Sequence, residues 1–393
     1  MPGSLIVSGA RTPIGKLAGA LAPCSAVDLG GLAIQAALSR AAVAPEDVDY
    51  VVMGHVIGAG QGQITARQAA VNAGIPMLTP ATTVNKVCLS GLNAIHLADL
   101  MIRAGEAAVV VAGGMESMTN APYLLPGART GYRLGDQRVV DAMMHDGLFC
   151  AFDHVSMGVS TDAYARAAGI SRERQDGLAV RSHERAAAAT KAGKLAEEIV
   201  PVEVSRPKGD PVVVDTDEGV RPETTPESLA ALRPAFEQEG TITAGNASQI
   251  SDGAAAVVVM SRERADELAM APLGEIVGYG QVAGPDTSLL TQPSRAIKEA
   301  ISRAGLSVAD MDLFEINEAF AAVSAASITD LGIPEDMVNV NGGAIALGHP
   351  IGMSGTRLAL SLLYELRRRG GGVGSVGLCG GGGQGDAAVL RTV

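Results

Sequence analysis

Two stretches of the chain repeat each other, and this repeat decides the fold. Residues 33–50 read AIQAALSRAAVAPEDVDY, and residues 296–313 read AIKEAISRAGLSVADMDL. At a constant offset of 263, eight of the 18 positions are identical, and these include a Ser-Arg pair and an Asp-x-Asp spacing. Chance similarity between two alanine-rich helices is the alternative, and it does not account for the shared polar residues. The repeat therefore predicts two similar halves.

Short apolar runs alternate with longer helical patterns around the repeat. Buried strands are predicted at Leu5–Ser8, Tyr50–Met53, Val109–Ala112, Ala255–Met260 and Gly374–Leu378. Helices are predicted at Leu32–Ala41, Ser90–Ala104, Ser294–Ala304 and Ser354–Arg368. Continuous apolar strands that alternate with helices are typical of a sheet covered on both faces, so the fold class is predicted to be α/β.

A long insertion is predicted to separate the two halves. We assign residues 1–118 to an N-terminal α/β half, which is completed by about 250–270, and residues 271–393 to a C-terminal α/β half. Residues 119–249 hold Gly/Pro/Tyr turns and a charged, alanine-rich helix, and they do not form a third copy. Loops of this length are often functional, and active sites often lie where two halves meet.

Composition excludes several classes of function. The formal net charge of −12 makes nucleic acid a poor partner, because binding to a phosphate backbone requires a basic surface. The four cysteines form no C-x-x-C pair, so neither a zinc site nor a disulfide framework is expected, and no metal is predicted. The N-terminal residues lack the pattern of a secretory signal, and no apolar run approaches the ~20 residues of a membrane span. We therefore expect a cytoplasmic protein with no membrane partner.

The segment Asn85-Lys-Val-Cys-Leu-Ser-Gly-Leu92 contains the first candidate catalytic residue. Cys88 lies just before a predicted helix, where the helix dipole and unpaired N–H groups favour the nucleophilic thiolate. The alternative is a small cysteine buried in a turn of the core.

Residues 339–355, NVNGGAIALGHPIGMSG, contain the second candidate, His349. The glycines permit tight turns and close approach of a ligand, and His349 could serve as a base for Cys88. A structural histidine in a turn is the alternative. A phosphate-binding loop is less well supported, because the lysine-containing P-loop spacing is absent.

Two further segments carry candidate residues. Cys379 directly follows a predicted strand and precedes four glycines, which suits an acid/base thiol beside an oxyanion site. Asn317, in Glu315-Ile-Asn-Glu-Ala-Phe320, could orient a water molecule or a polar group. The alternatives are a buried cysteine before a flexible turn and a plain strand-to-helix cap.

Taken together, NKVCLSGL, NEAF, NGGAIALGHPIGMSG and CGGGG resemble the thiolase family, in the family's order. The likeness runs from SGARTPIGK at residues 8–16 to the last strand. It implies duplicated α/β halves in a five-layered arrangement with an inserted loop domain. It also implies acyl transfer between coenzyme A (CoA) thioesters, which act as substrates, with no permanently bound cofactor.

The resemblance implies a role for each candidate. Cys88 would attack an acyl-CoA thioester with His349 as its base. Cys379 would protonate the departing CoA thiol and then remove the α-proton of a second acetyl-CoA. A water fixed by Asn317 would hold the enolate oxygen together with His349, and the N–H groups of Cys88 and Gly381 would hold the tetrahedral intermediate.

The resemblance also implies a CoA-binding surface. Arg221 matches an arginine near the adenine-nucleotide end of CoA. Ser248, in the segment that begins at Ala244, matches a contact to the pantetheine arm. The remaining matches are to apolar lining residues, for which ordinary core packing is the alternative: Leu148, Met157, Phe236, Ala319 and Phe320.

Departures from the family pattern bear on the substrate. Many short-chain members have His in place of Ser156 and a Met-Gly-x-Gly-Pro segment in place of Leu289–Pro293, and Leu89 is bulkier than usual. The leading interpretation is exchange between two acetyl-CoA and acetoacetyl-CoA plus CoA. A degradative 3-ketoacyl-CoA thiolase with a roomier pocket is the nearest alternative. A non-catalytic acyl-CoA-binding protein and a ketoacyl synthase, whose sites resemble Cys-His-His, are less well supported.

The family also implies an oligomer, either a homodimer or a homotetramer. The stretch Thr119–Leu148 resembles the loop through which dimers pair into tetramers.

Overall fold

The computed structural model describes residues 4–206 and 209–393. Residues 1–3 of the N-terminal stretch and residues 207 and 208 of the predicted insertion lie outside the described residues. The strands are β1 Leu5–Arg11, β2 Gly15–Lys16, β3 Tyr50–Gly54, β4 Ala81–Val84, β5 Val109–Ser117, β6 Tyr123–Leu124, β7 Val140–Asp141, β8 Val202–Val204, β9 Val212–Val214, β10 Ser251–Met260, β11 Gly274–Ala283, β12 Leu313–Ile316, β13 Val373–Gly380 and β14 Gln384–Arg391. The helices are α1 Ala26–Ala41, α2 Thr65–Asn72, α3 Ser90–Arg103, α4 Met157–Ala167, α5 Arg172–Lys191, α6 Pro226–Ala230, α7 Arg262–Glu267, α8 Gln292–Arg303, α9 Ala321–Leu331, α10 Ala344–Leu347 and α11 Ser354–Arg368.

The predicted strands and helices are confirmed in type, and the predicted strands are longer than expected. Strand β5 continues past Ala112 to Ser117, because its pairing with β10 continues as far as Ser117 opposite Asp252. The glycines at 113 and 114 therefore lie inside a strand. A side chain at Gly114 would collide with the carbonyl oxygen of Gly352, so this glycine lets another segment pack directly against the strand.

One mixed sheet connects the two halves, in the order β12-β13-β14-β11-β1-β10-β5-β3-β4, with β2 paired to β10. The same pattern occurs on both sides of the β1–β11 junction. Strands β3 and β5 pair in parallel, as do β12 and β13, and the next pairings, β5 with β10 and β13 with β14, are antiparallel. The duplication that the sequence predicts is thus present in the sheet topology.

Helices α3 and α11, which are equivalent in the repeat, pack against each other in a core shared with strands of both halves. Glycines permit this close contact. A Cβ at Gly91 would lie 2.9 Å from the carbonyl oxygen of Gly352, and the Thr356 hydroxyl donates to the carbonyl of Gly91 at 3.0 Å. The segments that precede the two helices, which contain Cys88 and His349, are therefore brought together.

The region between β5 and β10 contains two small hairpins, β6–β7 and β8–β9, and helices α4 to α6. Buried Arg11 on β1 anchors this region. Its guanidinium donates to both carboxylate oxygens of Asp217, at 2.7 and 2.9 Å, and lies 3.5 Å from Glu198. Two carboxylates surround one buried cation, so removal of Arg11 would leave both buried carboxylates without their cation. Among the described residues, no helix has the length and apolar character that crossing a membrane requires.

Candidate active site

Cys88 lies in a tight turn between β4 and α3. Val87 adopts a positive φ of 52°, which is unusual for a β-branched residue. The Ser90 hydroxyl holds the turn: it accepts from the Lys86 N–H at 2.8 Å and donates to the Val87 carbonyl at 2.6 Å. The turn places Cys88 in an apolar cluster that contains Ile351, two residues after His349.

The expected depression of the Cys88 pKa is wrong. Burial raises the pKa of this thiol to about 12, and the nearby Glu116 carboxylate raises it further, whereas the backbone N–H of Cys88 opposes the shift. Proximity to the start of α3 does not compensate for an apolar surrounding that disfavours the thiolate. Cys88 is therefore a neutral thiol before reaction, and its proton must leave as the nucleophile forms.

His349 is buried in the turn before α11, and its hydrogen bonds define its tautomer. The Ser354 hydroxyl donates to the Pro350 carbonyl at 3.0 Å, so its oxygen is free to accept from Nδ1 of His349 at 2.6 Å. Nδ1 thus carries the proton, and Nε2 carries the lone pair of a base. Burial, with a further contribution from Arg357, lowers the pKa of His349 to about 3, so the imidazole is neutral.

Asn317 follows β12 directly and is fully buried. Its Nδ2 lies 3.4 Å from Nε2 of His349. Its Oδ1 has no hydrogen-bond partner among the described residues, although buried polar atoms are usually satisfied. The amide therefore has an unused acceptor beside the imidazole, as expected for a residue that fixes a water molecule.

Cys379 lies at the end of β13, and the glycines after it pack against the Cys88 turn. A Cβ at Gly380 would lie 2.6 Å from Cγ of Leu89, and one at Gly381 would lie 3.8 Å from Cγ1 of Val87. Burial raises the pKa of the Cys379 thiol above its ordinary value, and the proximity of Cys88 raises it further. The structure thus brings both cysteines, His349 and Asn317 into one site.

A cavity of about 340 Å³ leads to this site, and His349 is part of its wall. Six of the predicted CoA-binding residues line it: Leu148, Met157, Phe236, Ala244, Ser248 and Phe320. The two phenylalanine rings contact each other edge to face, with centroids 6.2 Å apart. The cavity has the size and mostly apolar lining that are typical of a small-molecule site.

The cavity is continuous with the surroundings of both cysteines. Leu148, Ile250 and Ile351 line the cavity and pack in the cluster around Cys88. In the same way, Met157 and Phe320 line the cavity and pack in the cluster that contains Cys379. The cavity wall therefore shares residues with the surroundings of both thiols.

Two predicted contacts are not part of this lining. Ala319 is buried, and its carbonyl accepts from the Ser248 N–H at 3.1 Å, so its side chain supports the wall from behind. Arg221 is exposed outside the cavity, and its N–H donates to Nδ1 of His183 at 3.1 Å. Burial lowers the pKa of His183 to about 4, which keeps this imidazole neutral and able to accept.

The residues that depart from the family pattern have structural roles. Ser156 lines the cavity and caps α4 by accepting from the Val159 N–H at 3.3 Å. Leu89 is fully buried against Gly380, which accommodates its bulk. Leu289 and Leu290 are buried in the cluster that contains Cys379.

The sequence analysis missed two buried carboxylates that hold the catalytic turns. Glu116 accepts from the N–H groups of Val56, Ile57 and Gly352 at 3.0–3.2 Å, and burial raises its pKa to about 7.

Glu318, in the quoted NEAF segment, accepts from Ser182, Asn339 and the N–H of Ile345. A glutamate inside an otherwise apolar motif is the signal that could have identified it.

Comparison with known proteins yields consistent matches over the whole chain. The family model described as Thiolase, N-terminal domain, matches residues 4–263, and Thiolase, C-terminal domain, matches residues 270–392. The chain is 56% identical over 393 residues to a probable acetyl-CoA acetyltransferase of Mycobacterium leprae, with all of both chains covered. It is 51% identical to an acetyl-CoA acetyltransferase of Cupriavidus necator and 50% identical to one of Chromobacterium violaceum, with 98% of each chain covered.

Proposed function

The chain belongs to the thiolase family, and on this premise we propose that it is an acetyl-CoA acetyltransferase that interconverts two acetyl-CoA with acetoacetyl-CoA plus CoA. One observation carries the proposal. A neutral histidine with a free Nε2 lines a cavity of about 340 Å³ and contacts an asparagine with an unused acceptor, and residues of the cavity wall pack around both thiols. The full-length relatives bear the name of this activity.

In the first half-reaction, Cys88 attacks the thioester carbonyl. Its proton passes to Nε2 of His349 as the carbon–sulfur bond forms, because the separated ions would be poorly solvated in this buried site. The Ser354 oxygen then stabilises the imidazolium through Nδ1. The CoA thiolate leaves with a proton from Cys379, and an acetyl group remains on Cys88.

In the second half-reaction, the Cys379 thiolate removes an α-proton from a second acetyl-CoA. The enolate oxygen is held by His349 and by a water bound to Asn317, and the enolate carbon attacks the acetyl-cysteine. The N–H groups of Cys88 and Gly381 stabilise the resulting oxyanion. Each such donor is expected to contribute roughly 3 kcal/mol. Collapse of this oxyanion breaks the bond to the Cys88 sulfur and releases acetoacetyl-CoA, and Cys88 recovers its proton from Nε2 of His349.

The cavity and its rim would bind CoA along its length. The apolar wall of Leu148, Met157 and Phe236 suits the pantetheine arm, and Ser248 offers it a hydroxyl. Exposed Arg221 would meet a phosphate at the nucleotide end. Coenzyme A thioesters are substrates in this scheme, and no permanently bound cofactor is required.

Incubation with acetyl-CoA followed by peptide mass spectrometry tests the proposal. We expect a 1:1 acetyl adduct on Cys88 that is absent from Cys88→Ala. Cys24→Ala is a matched control, because it removes another free cysteine that packs in a different cluster, and it should keep the adduct. An adduct on another residue, or none at all, would contradict the proposal.

A thiolysis assay across 3-ketoacyl-CoA chain lengths tests acetyl specificity. We expect kcat/KM to be highest for acetoacetyl-CoA, because Leu89, Leu289 and Leu290 fill the space around Cys379. A maximum at longer chains would favour the degradative 3-ketoacyl-CoA thiolase instead.

Other features of the family complete the proposal. The two halves and the helix pair α3–α11 would form the five-layered arrangement, with residues 119–249 as the loop domain between 1–118 and 271–393. The protein would act in the cytoplasm as a homodimer or homotetramer.

A further inference from the structure

Gln249 makes contacts that neither its sequence context nor the proposed mechanism explains. It follows Ser248 on the cavity wall, two residues before the start of β10. Its side-chain nitrogen lies 3.0 Å from the carbonyl oxygen of Gly219, 2.9 Å from that of Ile345 and 3.2 Å from that of Ala346. One amide thus shares its two N–H donors among three carbonyl groups on two separate segments, the loop at Gly219 and the short helix α10 with Ile345 and Ala346.

The segment with Gly219 leads to Arg221 and is called the Arg221 loop. The segment with Ile345 and Ala346 leads to His349 and is called the His349 loop. The main chain of Gln249 also contacts the His349 loop, because its carbonyl oxygen accepts from the His349 N–H at 3.1 Å. One residue therefore holds the backbone of the catalytic histidine, the turn before it, and the loop of the CoA-binding arginine.

The packing between the two loops is built around this amide. A Cβ at Gly219 would lie 2.8 Å from Nε2 of Gln249 and 2.6 Å from the carbonyl oxygen of Ala346. Glycine at 219 therefore permits direct contact between the loops. The Arg221 loop has other contacts as well: Asp217 binds Arg11, the backbone N–H of Arg221 donates to His183, and Val220 packs in the cluster that contains Ala346 and Leu347.

We propose that Gln249 is a positioning residue that fixes the Arg221 loop to the His349 loop. The nucleotide end of CoA and the catalytic imidazole are then held in a fixed position relative to each other. The inference rests on the proposed function, in which Arg221 binds CoA and His349 is the base. Binding energy from a remote part of a substrate accelerates a reaction only when it is transmitted as correct placement of the reacting atoms. Through Gln249, the contact of Arg221 with CoA would contribute to kcat as well as to KM.

A double-mutant cycle in the full-length protein tests this coupling, with acetyl-CoA condensation as the assay. Arg221→Ala should raise KM for acetyl-CoA and also lower kcat. Gln249→Ala should lower kcat about 10-fold or more, because misplacement by about 1 Å can slow catalysis by as much as 100-fold. Introduced into Gln249→Ala, Arg221→Ala should reduce kcat/KM by less than one third of the factor by which it reduces kcat/KM in the parent protein. The link between the Arg221 loop and the His349 loop is already broken in that background.

Two further variants separate positioning from folding and bulk. Gln249→Glu keeps the side-chain length but replaces donors by acceptors that face three carbonyl groups, so it should lower kcat at least as much as Gln249→Ala. Gln68→Ala is the matched control, because the side-chain nitrogen of Gln68 also bridges loop carbonyl groups, those of Gln61 and Gln63, at 3.0 and 2.8 Å. Its kcat and KM should equal those of the parent protein.

The outcomes separate the inference from the function on which it rests. If Arg221→Ala leaves KM unchanged, the assignment of Arg221 to CoA is wrong, whatever Gln249 does. If Arg221→Ala raises KM and the two effects on kcat/KM multiply independently, or if Gln249→Glu retains the parental kcat, the coupling through Gln249 is refuted. If Gln249→Ala does not fold, the same cycle with Gln249→Glu decides the question.

Discussion

The hydrogen bond between Ser354 and His349 predicts a specific loss of catalysis in Ser354→Ala. The substitution removes the oxygen that accepts from Nδ1 of His349 at 2.6 Å, deep in the site, where Ser354 is only 2% exposed. The N–H of a buried imidazole is then left without its partner. The imidazolium that forms during acylation would also lack this hydrogen-bond acceptor.

The expected magnitude follows from that unpaired group. A buried donor without a partner costs about 1–3 kcal/mol, and each 1.36 kcal/mol corresponds to about tenfold in rate, so kcat should fall about 5- to 150-fold. KM for acetyl-CoA should change little, because Ser354 is not among the residues that line the cavity. Steady-state condensation gives kcat and KM, and rapid-quench acetylation of Cys88 gives the rate of the acylation step.

A second serine on the same helix provides the control. Ser361 is also buried on α11, and its hydroxyl donates to the Glu198 carboxylate at 2.7 Å. Ser361→Ala should therefore destabilise the fold by a similar amount while leaving kcat unchanged. If thermal melts show equal destabilisation and kcat falls equally in both variants, or if Ser354→Ala keeps the parental kcat, the tautomer argument is refuted.

Three further predictions follow from the site and the family. Cys379→Ser should still acetylate Cys88 measurably but condense very poorly, because an alcohol is a far weaker acid than a thiol near pH 7; equal loss of both rates would refute the division of roles. Because burial raises the pKa of Cys88 to about 12, its alkylation by iodoacetamide should keep accelerating from pH 7 to 10 as the thiolate fraction grows, and a plateau below pH 8 would contradict the shift. Light scattering at micromolar concentration should give the mass of a dimer or a tetramer, and a monomer mass would exclude both.

The sequence by itself determined the element types, and it predicted the duplication and the candidate reactive side chains. These features depend on local patterns: an apolar run or a helical period is contained within a dozen residues, and a 263-residue offset is visible without coordinates.

Only the tertiary structure decided the state of these side chains. Position before a helix predicted a thiolate at Cys88, but apolar residues from distant segments surround the thiol and raise its pKa instead. The proton on Nδ1 of His349 depends on where the Ser354 hydroxyl donates. Gln249 contacts carbonyl groups 30 and 96 residues away along the chain. Desolvation and long-range hydrogen bonds depend on which segments meet in space, and no local pattern in the sequence encodes that.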